Sequence, residues 1–161
     1  MQTQVMFYLL NDDKAKNEST DIENNTDAID TSSAFYHACL QASFFYRQNQ
    51  RVFIYTQDQA QAEKIDELLW AFDSDSFVPH NLIGEGPKQG AAVEISHQAP
   101  RGRRPVLINL TDTVPNFANQ FQFIVDFVPS DETLKQQARE RFKTCRQWGF
   151  QVDNQAVEKS Q

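Results

Sequence analysis

Gly84, Gly86 and Gly90, with Lys88 among them and Pro79 and Pro87 in the same stretch, have the residue types that could cradle a phosphate. Such a cradle needs backbone amides presented by a glycine-rich turn at the start of a helix. A dinucleotide fingerprint requires GxGxxG between a strand and a helix, and here the spacing is GxGxxxG. Pro87 removes one amide donor, and the run that follows, "AAVEI", has strand rather than helix character. A Walker loop would need Ser or Thr after the lysine, but Gln89 stands there. No nucleotide site is therefore expected, and "FVPHNLIGEGPKQGAAVEI" (77–95) reads as a wide connection whose glycines permit positive φ and whose prolines stiffen it.

Other constellations are thinner. His37, His80 and His97 show no HxxxH or HExxH spacing, so neither a metal nor any other cofactor is expected, and each reads as a structural histidine. Cys39 and Cys145 lack CxxC spacing, fall in segments that read as helices, and are expected as buried thiols. There is no GxSxG elbow, and Asp126 within "FQFIVDFV" reads as a satisfied polar residue at a strand end.

The segment "SDETLKQQARERFKTCRQWGF" is the informative one. At the helical period, Lys135, Arg139, Phe142, Lys143 and Arg146 fall within an arc of roughly 100°, beside an apolar arc of Leu134, Ala138, Cys145 and Trp148. Phe142 lies at the seam, where it can line an apolar seat rimmed by cations. Arg141 falls on the apolar side, where only snorkelling suggests itself. The matching ligand is an acidic peptide with an apolar or aromatic anchor. The formal net charge of −7 argues against wrapping a long stretch of nucleic acid, although "PRGRRP" (100–105) and this helix leave a direct single-stranded DNA-binding module as an alternative. A small nucleotide-dependent enzyme using the Gly84–Gly90 loop is the other.

The elements that must position these groups follow from periodicity. The chain of 161 residues, 40% hydrophobic with thirteen Phe, supports one globular domain. "VMFYLL" (5–10) reads as a buried strand. The acid-rich stretch 11–32 reads as a loop or insertion. A helix is expected from Ala34, capped by Ser32 or Ser33, with Phe35, Cys39, Ala42 and Tyr46 on one face. "RVFIYT" (51–56) is a strand, and a second helix follows with Asp58 as N-cap and Gln61 three residues on. "AAVEI", "PVLINL" and "FQFIVDFV" read as further strands, and the last helix takes Ser130 as N-cap and Gly149 as its stop. This alternation predicts an α/β layered fold over residues 1–150 with a central mixed sheet flanked by helices, and a flexible tail at 151–161. "MQTQVMFYLL" carries no signal-like pattern, so a cytoplasmic protein without a membrane segment is expected.

"ELLWAFDSDSFVPHNLIGEGPKQGAAVEI" and "VDFVPSDETLKQQARERFKTCRQWGF" closely resemble the chi subunit of the bacterial DNA polymerase III holoenzyme, and "FYLL" and "VLINL" agree with it. The resemblance implies a Rossmann-like fold without a nucleotide and an accessory subunit of the replicase with no catalysis of its own. It would bind the psi subunit of the clamp loader and the acidic, phenylalanine-ended C-terminal tail of single-stranded DNA-binding protein. It also implies residue roles. Trp70 and Phe77 stand where chi proteins meet psi, a surface that a DNA-repair helicase is also linked to. Val128, Lys135, Arg139, Phe142 and Lys143 stand where they grip the tail, and Arg146 joins this set by the helical geometry above. Many relatives carry Tyr at the position of Phe142, so any hydrogen bond from that hydroxyl is missing here.

Overall fold

The computed structural model describes residues 2–10, 26–72, 78–82, 91–100 and 102–157. Seven strands form one sheet: β1 (Gln4–Leu9), β2 (Val52–Tyr55), β3 (His80–Leu82), β4 (Val93–Ser96), β5 (Val106–Asn109), β6 (Phe123–Val128) and β7 (Gln151–Ala156). Three helices accompany them, α1 (Thr26–Arg47), α2 (Gln59–Phe72) and α3 (Glu132–Gln147). The strand order is β3-β4-β2-β5-β6-β1-β7, and every pair is parallel. The expected mixed sheet is thus corrected to a parallel one. The physical reason is burial on both faces: VLIN of β5 is buried at every position, as the strands of a parallel sheet between helix layers must be.

Alternate residues feed two cores. Val52 and Ile54 of β2 join Phe35, Ala38 and Cys39 of α1 and Ile65 and Leu69 of α2 on one face. Phe53 points to the other, with Phe7, Leu107, Phe117 and Cys145. There the abundant phenylalanines stack: Phe53 lies 6.2 Å from Phe121 at 18°, and Tyr55 meets Phe117 edge-on at 5.0 Å. Full burial of such a ring stabilises the fold by about 1.5–3 kcal/mol. The cysteines are free and buried in different cores, and burial pushes both thiols up to about 12.

Helix ends follow local chemistry, with corrections. The Gln61 amide donates to Asp58 Oδ1 at 2.9 Å, so Asp58 caps α2 as expected. Asp131, not Ser130, caps α3, its carboxylate accepting from the Leu134 amide at 3.0 Å. Gly149, at φ 86°, ends α3 in a Schellman turn with Phe150 N to Cys145 O at 3.1 Å and Gly149 N to Arg146 O at 3.1 Å. Trp148 is 45% exposed and leaves the apolar arc to pack edge-on against Phe150. The first helix begins at Thr26 rather than Ala34, so the loop or insertion ends earlier than 32. The remainder of the acid-rich stretch, 11–25, lies outside the described residues. Residues 151–156 are not a flexible tail but β7, paired with β1 from Gln4↔Gln151 to Leu9↔Ala156.

Arg141 is pinned. It is buried on α3, and its guanidinium takes Asp126 of β6 bidentately, Nε to Oδ2 at 2.8 Å and Nη2 to Oδ1 at 2.9 Å. It also donates to the carbonyls of Phe127 at 3.1 Å and Asp112 at 3.4 Å. Burial pushes the Asp126 carboxyl up, while Arg141, the Phe127 amide and Asn109 pull it back. Removing one partner leaves an uncompensated buried charge. Arg141→Met is therefore expected to lower stability by about 3–5 kcal/mol, and adding Asp126→Leu to recover part of that loss, as read by urea denaturation of both variants.

Candidate functional site

The site residues on α3 converge on one groove. β1 sends the chain through α1 to β2 and β3's side of the sheet, whereas β6 sends it through α3 past β1 to β7. The carboxyl ends of the adjacent strands β1 and β6 therefore flank a crevice where the two crossovers diverge, the usual ligand position in a parallel α/β sheet. A groove of ≈ 530 Å³ lies there, within the range of sites for small ligands and peptide anchors.

Its floor is apolar. Phe7 of β1 is fully buried and packs against Phe142 at a centroid distance of 5.2 Å, with Val128 beside them. Three cations of α3, Lys135, Arg139 and Lys143, form the rim. Lys135, half-buried, is held loosely by exposed Glu132 at 3.6 Å, and Lys143 by Glu140 at 3.8 Å in an exposed pair, both with i,i+3 spacing. Arg139 is exposed, with Nη1 donating to Gln136 Oε1 at 3.4 Å. Such contacts are weak, so an incoming carboxylate displaces them at little cost. An apolar seat with a cationic rim can take an apolar side chain together with carboxylates.

Five of the six tail-site residues expected from the sequence thus share one groove: Val128, Lys135, Arg139, Phe142 and Lys143. Arg146 is exposed in the last turn of α3 and does not line it. Sequence reasoning missed Phe7 and Leu9 of β1 and Asn154 of β7, which complete the wall opposite α3. Phe7 and Leu9 share a face by the period of two, but only the placement of β1 beside β6 brings them to the groove.

On the other side of the sheet, Trp70 stands near the end of α2 and is 63% exposed. Its ring meets that of His80 edge-on at 5.0 Å. His80 is buried, with Nδ1 2.7 Å from the Val78 carbonyl and Nε2 3.4 Å from Asp66, which makes it the structural histidine expected. Phe77 and the glycine stretch 83–90 lie outside the described residues. In the basic loop, Arg104 is buried, paired with Glu94 at 3.1 Å and bonded to the carbonyls of Ala92 at 2.9 Å and Val52 at 3.3 Å. It holds strands together and presents no charge to a ligand. Among the described residues no group of three acidic, His or Cys side chains could hold a metal ion, and no helix is long and apolar enough to cross a membrane.

The model of the family "DNA polymerase III chi subunit, HolC" matches residues 2–153. The chain is 43% identical over 134 residues to DNA polymerase III subunit chi of Escherichia coli strain K12, covering 82% of this chain and 91% of that protein. It is 43% identical over 122 residues to the Haemophilus influenzae subunit, with 74% and 85% covered, and 30% identical over 127 residues to that of Pseudomonas aeruginosa, with 79% and 89% covered. Among solved structures, T4 UvsW superposes with a TM-score of 0.60 at 9% identity, over 97% of this chain and 41% of that one. That likeness is one of fold alone.

Trp70 supports little of the core by this geometry. Trp70→Ala is expected to change stability by no more than about 1 kcal/mol in thermal or urea unfolding, and a larger loss would mark the ring as structural.

Proposed function

The chain belongs to the DNA polymerase III chi subunit family, and we propose that it serves DNA replication as an accessory subunit without catalysis of its own. In this reading it links the clamp loader, through psi, to the C-terminal tail of single-stranded DNA-binding protein, meets DNA mainly through those partners, and works in the cytoplasm. The observation that supports it is the groove, lined by Val128 and Phe142 with Lys135, Arg139 and Lys143 at its rim, which suits an apolar side chain flanked by carboxylates. An acidic tail ending in phenylalanine has that chemistry. The psi surface comprises Trp70 and Phe77 in this reading, and the exposure of Trp70 supports it, because a large ring left in water concentrates binding energy once a partner buries it. A DNA-repair helicase using the same surface would compete with psi.

Direct binding of single-stranded DNA is less well supported, since Arg104 of the basic loop is already consumed by Glu94. The nucleotide reading of the Gly84–Gly90 loop rests on residues outside those described.

Arg139→Glu tests the tail site. It removes a charge-assisted bond and adds repulsion, together worth roughly 2–4 kcal/mol. Affinity for an acidic Phe-ended peptide should fall at least about thirtyfold in low salt by isothermal titration. Psi binding should be untouched by this change, because Arg139 and Trp70 lie on helices packed against opposite faces of the sheet, but should fall by about 2–4 kcal/mol when Trp70 and Phe77 are both replaced by Ala. Tail affinity unchanged by Arg139→Glu, or heat from single-stranded DNA without a protein partner, would overturn the reading.

A further inference from the structure

Among the described residues, β7 ends the sheet and is bonded on one side only. Gln151 N donates to Thr3 O at 2.9 Å and Val157 N to Leu9 O at 3.0 Å. In a parallel ladder the alternation then sends the amides and carbonyls of residues 151, 153, 155 and 157 inward to β1, and those of Val152, Asn154 and Ala156 outward. Only Val152 of this strand is half-buried; the other five residues are exposed. Natural sheets blunt such an edge with lysine, proline, a bulge or a very short strand. β7 runs for six residues, QVDNQA, with no Lys, Arg or Pro. The opposite edge, β3, has three residues, none of them exposed.

The open edge is continuous with the groove. Asn154 lines the groove with its side chain and offers its outward N–H and C=O to whatever leaves it. A chain seated among Lys135, Arg139 and Phe142 and passing Asn154 meets this row of unpaired groups directly. We propose that the outer edge of β7 is a strand-addition site for the extended stretch of the acidic peptide that lies upstream of the segment held in the groove. The proposal rests on the reading of the groove as the tail site. The cationic rim selects an acidic chain, and the β7 edge, whose one charged residue is Asp153, selects it by backbone pairing rather than by sequence. Val152 packs toward the α3 side, so the alternation turns Asp153 to the opposite face, away from the rim. Six residues of pairing span about 20 Å.

Two peptides separate the two readings: a short acidic Phe-ended segment, and the same segment extended upstream by about six residues of neutral, extended sequence. The longer peptide should bind about tenfold more tightly by isothermal titration. Asn154→Pro deletes the outward amide, which an edge strand tolerates. It should abolish the gain from extension while leaving the short peptide bound as in Asn154→Ala, which removes the side chain only. Should Asn154→Pro fail to fold, N-methylation of alternate amides in the extension gives the same readout on the unaltered protein, with one alternation losing the gain and the other keeping it. No gain from extension, equal affinity of Asn154→Pro and Asn154→Ala for the longer peptide, or indifference to N-methylation would overturn the proposal while the groove reading stands. Failure of both peptides to bind would overturn both. A concentration-dependent dimer in sedimentation that Asn154→Pro dissociates would assign the edge to a second copy instead.

Discussion

The Asp126–Arg141 pair fixes the rotation of α3, and the groove depends on that rotation. A helix laid on a sheet can turn about its axis at small cost if only greasy contacts hold it, but a bidentate guanidinium to carboxylate bond at 2.8 and 2.9 Å admits one setting. With Arg141 turned to the sheet, Phe142 follows about 100° round and meets Phe7. Arg139 and Lys143, two residues either side of Arg141, fall about 160° away from it in opposite senses and are left at the exposed rim. One buried ion pair thus sets which side chains floor the groove and which surround it. Its value lies in specificity of arrangement more than in net stabilisation, since desolvation consumes much of the attraction.

The sequence made the elements legible where period and caps agreed. Ala62, Ile65 and Leu69 at helical spacing after Asp58 announced α2, and Lys135, Arg139, Phe142 and Lys143 announced one face of α3. What it could not give were relations between elements. Arg141 on an apolar arc made no local sense, because its partner sits fifteen residues upstream on β6 and neither residue reports the other. The polar run QVDNQA carries no strand signal, and it is a strand because β1 offers it an unpaired edge. Neither parallel pairing nor strand order was legible: Asp126 interrupts the apolar run of β6 and the polar β7 gives no strand signal, so the sequence predicts a mixed sheet. Phe7, Leu9 and Asn154 entered the groove through that order alone.

The sheet itself insulates the two surfaces. Trp70 rises from α2, packed in the core of one face, while the groove is cut between α3 and the strand ends on the other. No ring or ion pair links them across the buried strands among the described residues, so changes at one are expected to add to changes at the other. The groove is less independent of its own core. Phe142 is half-buried and shares its contact with Phe7, so the floor that would receive a ligand is also part of what holds α3 down.

β1 lies between β6 and β7, pairing Met6 with both Val125 and Asp153. β1, made before the six strands that follow it, therefore waits for residues 123–156 before either of its edges is satisfied. Contacts of such long range slow folding, because the loop must close before they return any stabilisation. During translation Val5 and Phe7 remain an apolar strand without neighbours, the kind of segment that chaperones hold or that aggregates. The groove, walled by β1 on one side and α3 on the other, is consequently among the last features to form, and a truncated product lacking residues beyond 123 would have neither wall in place.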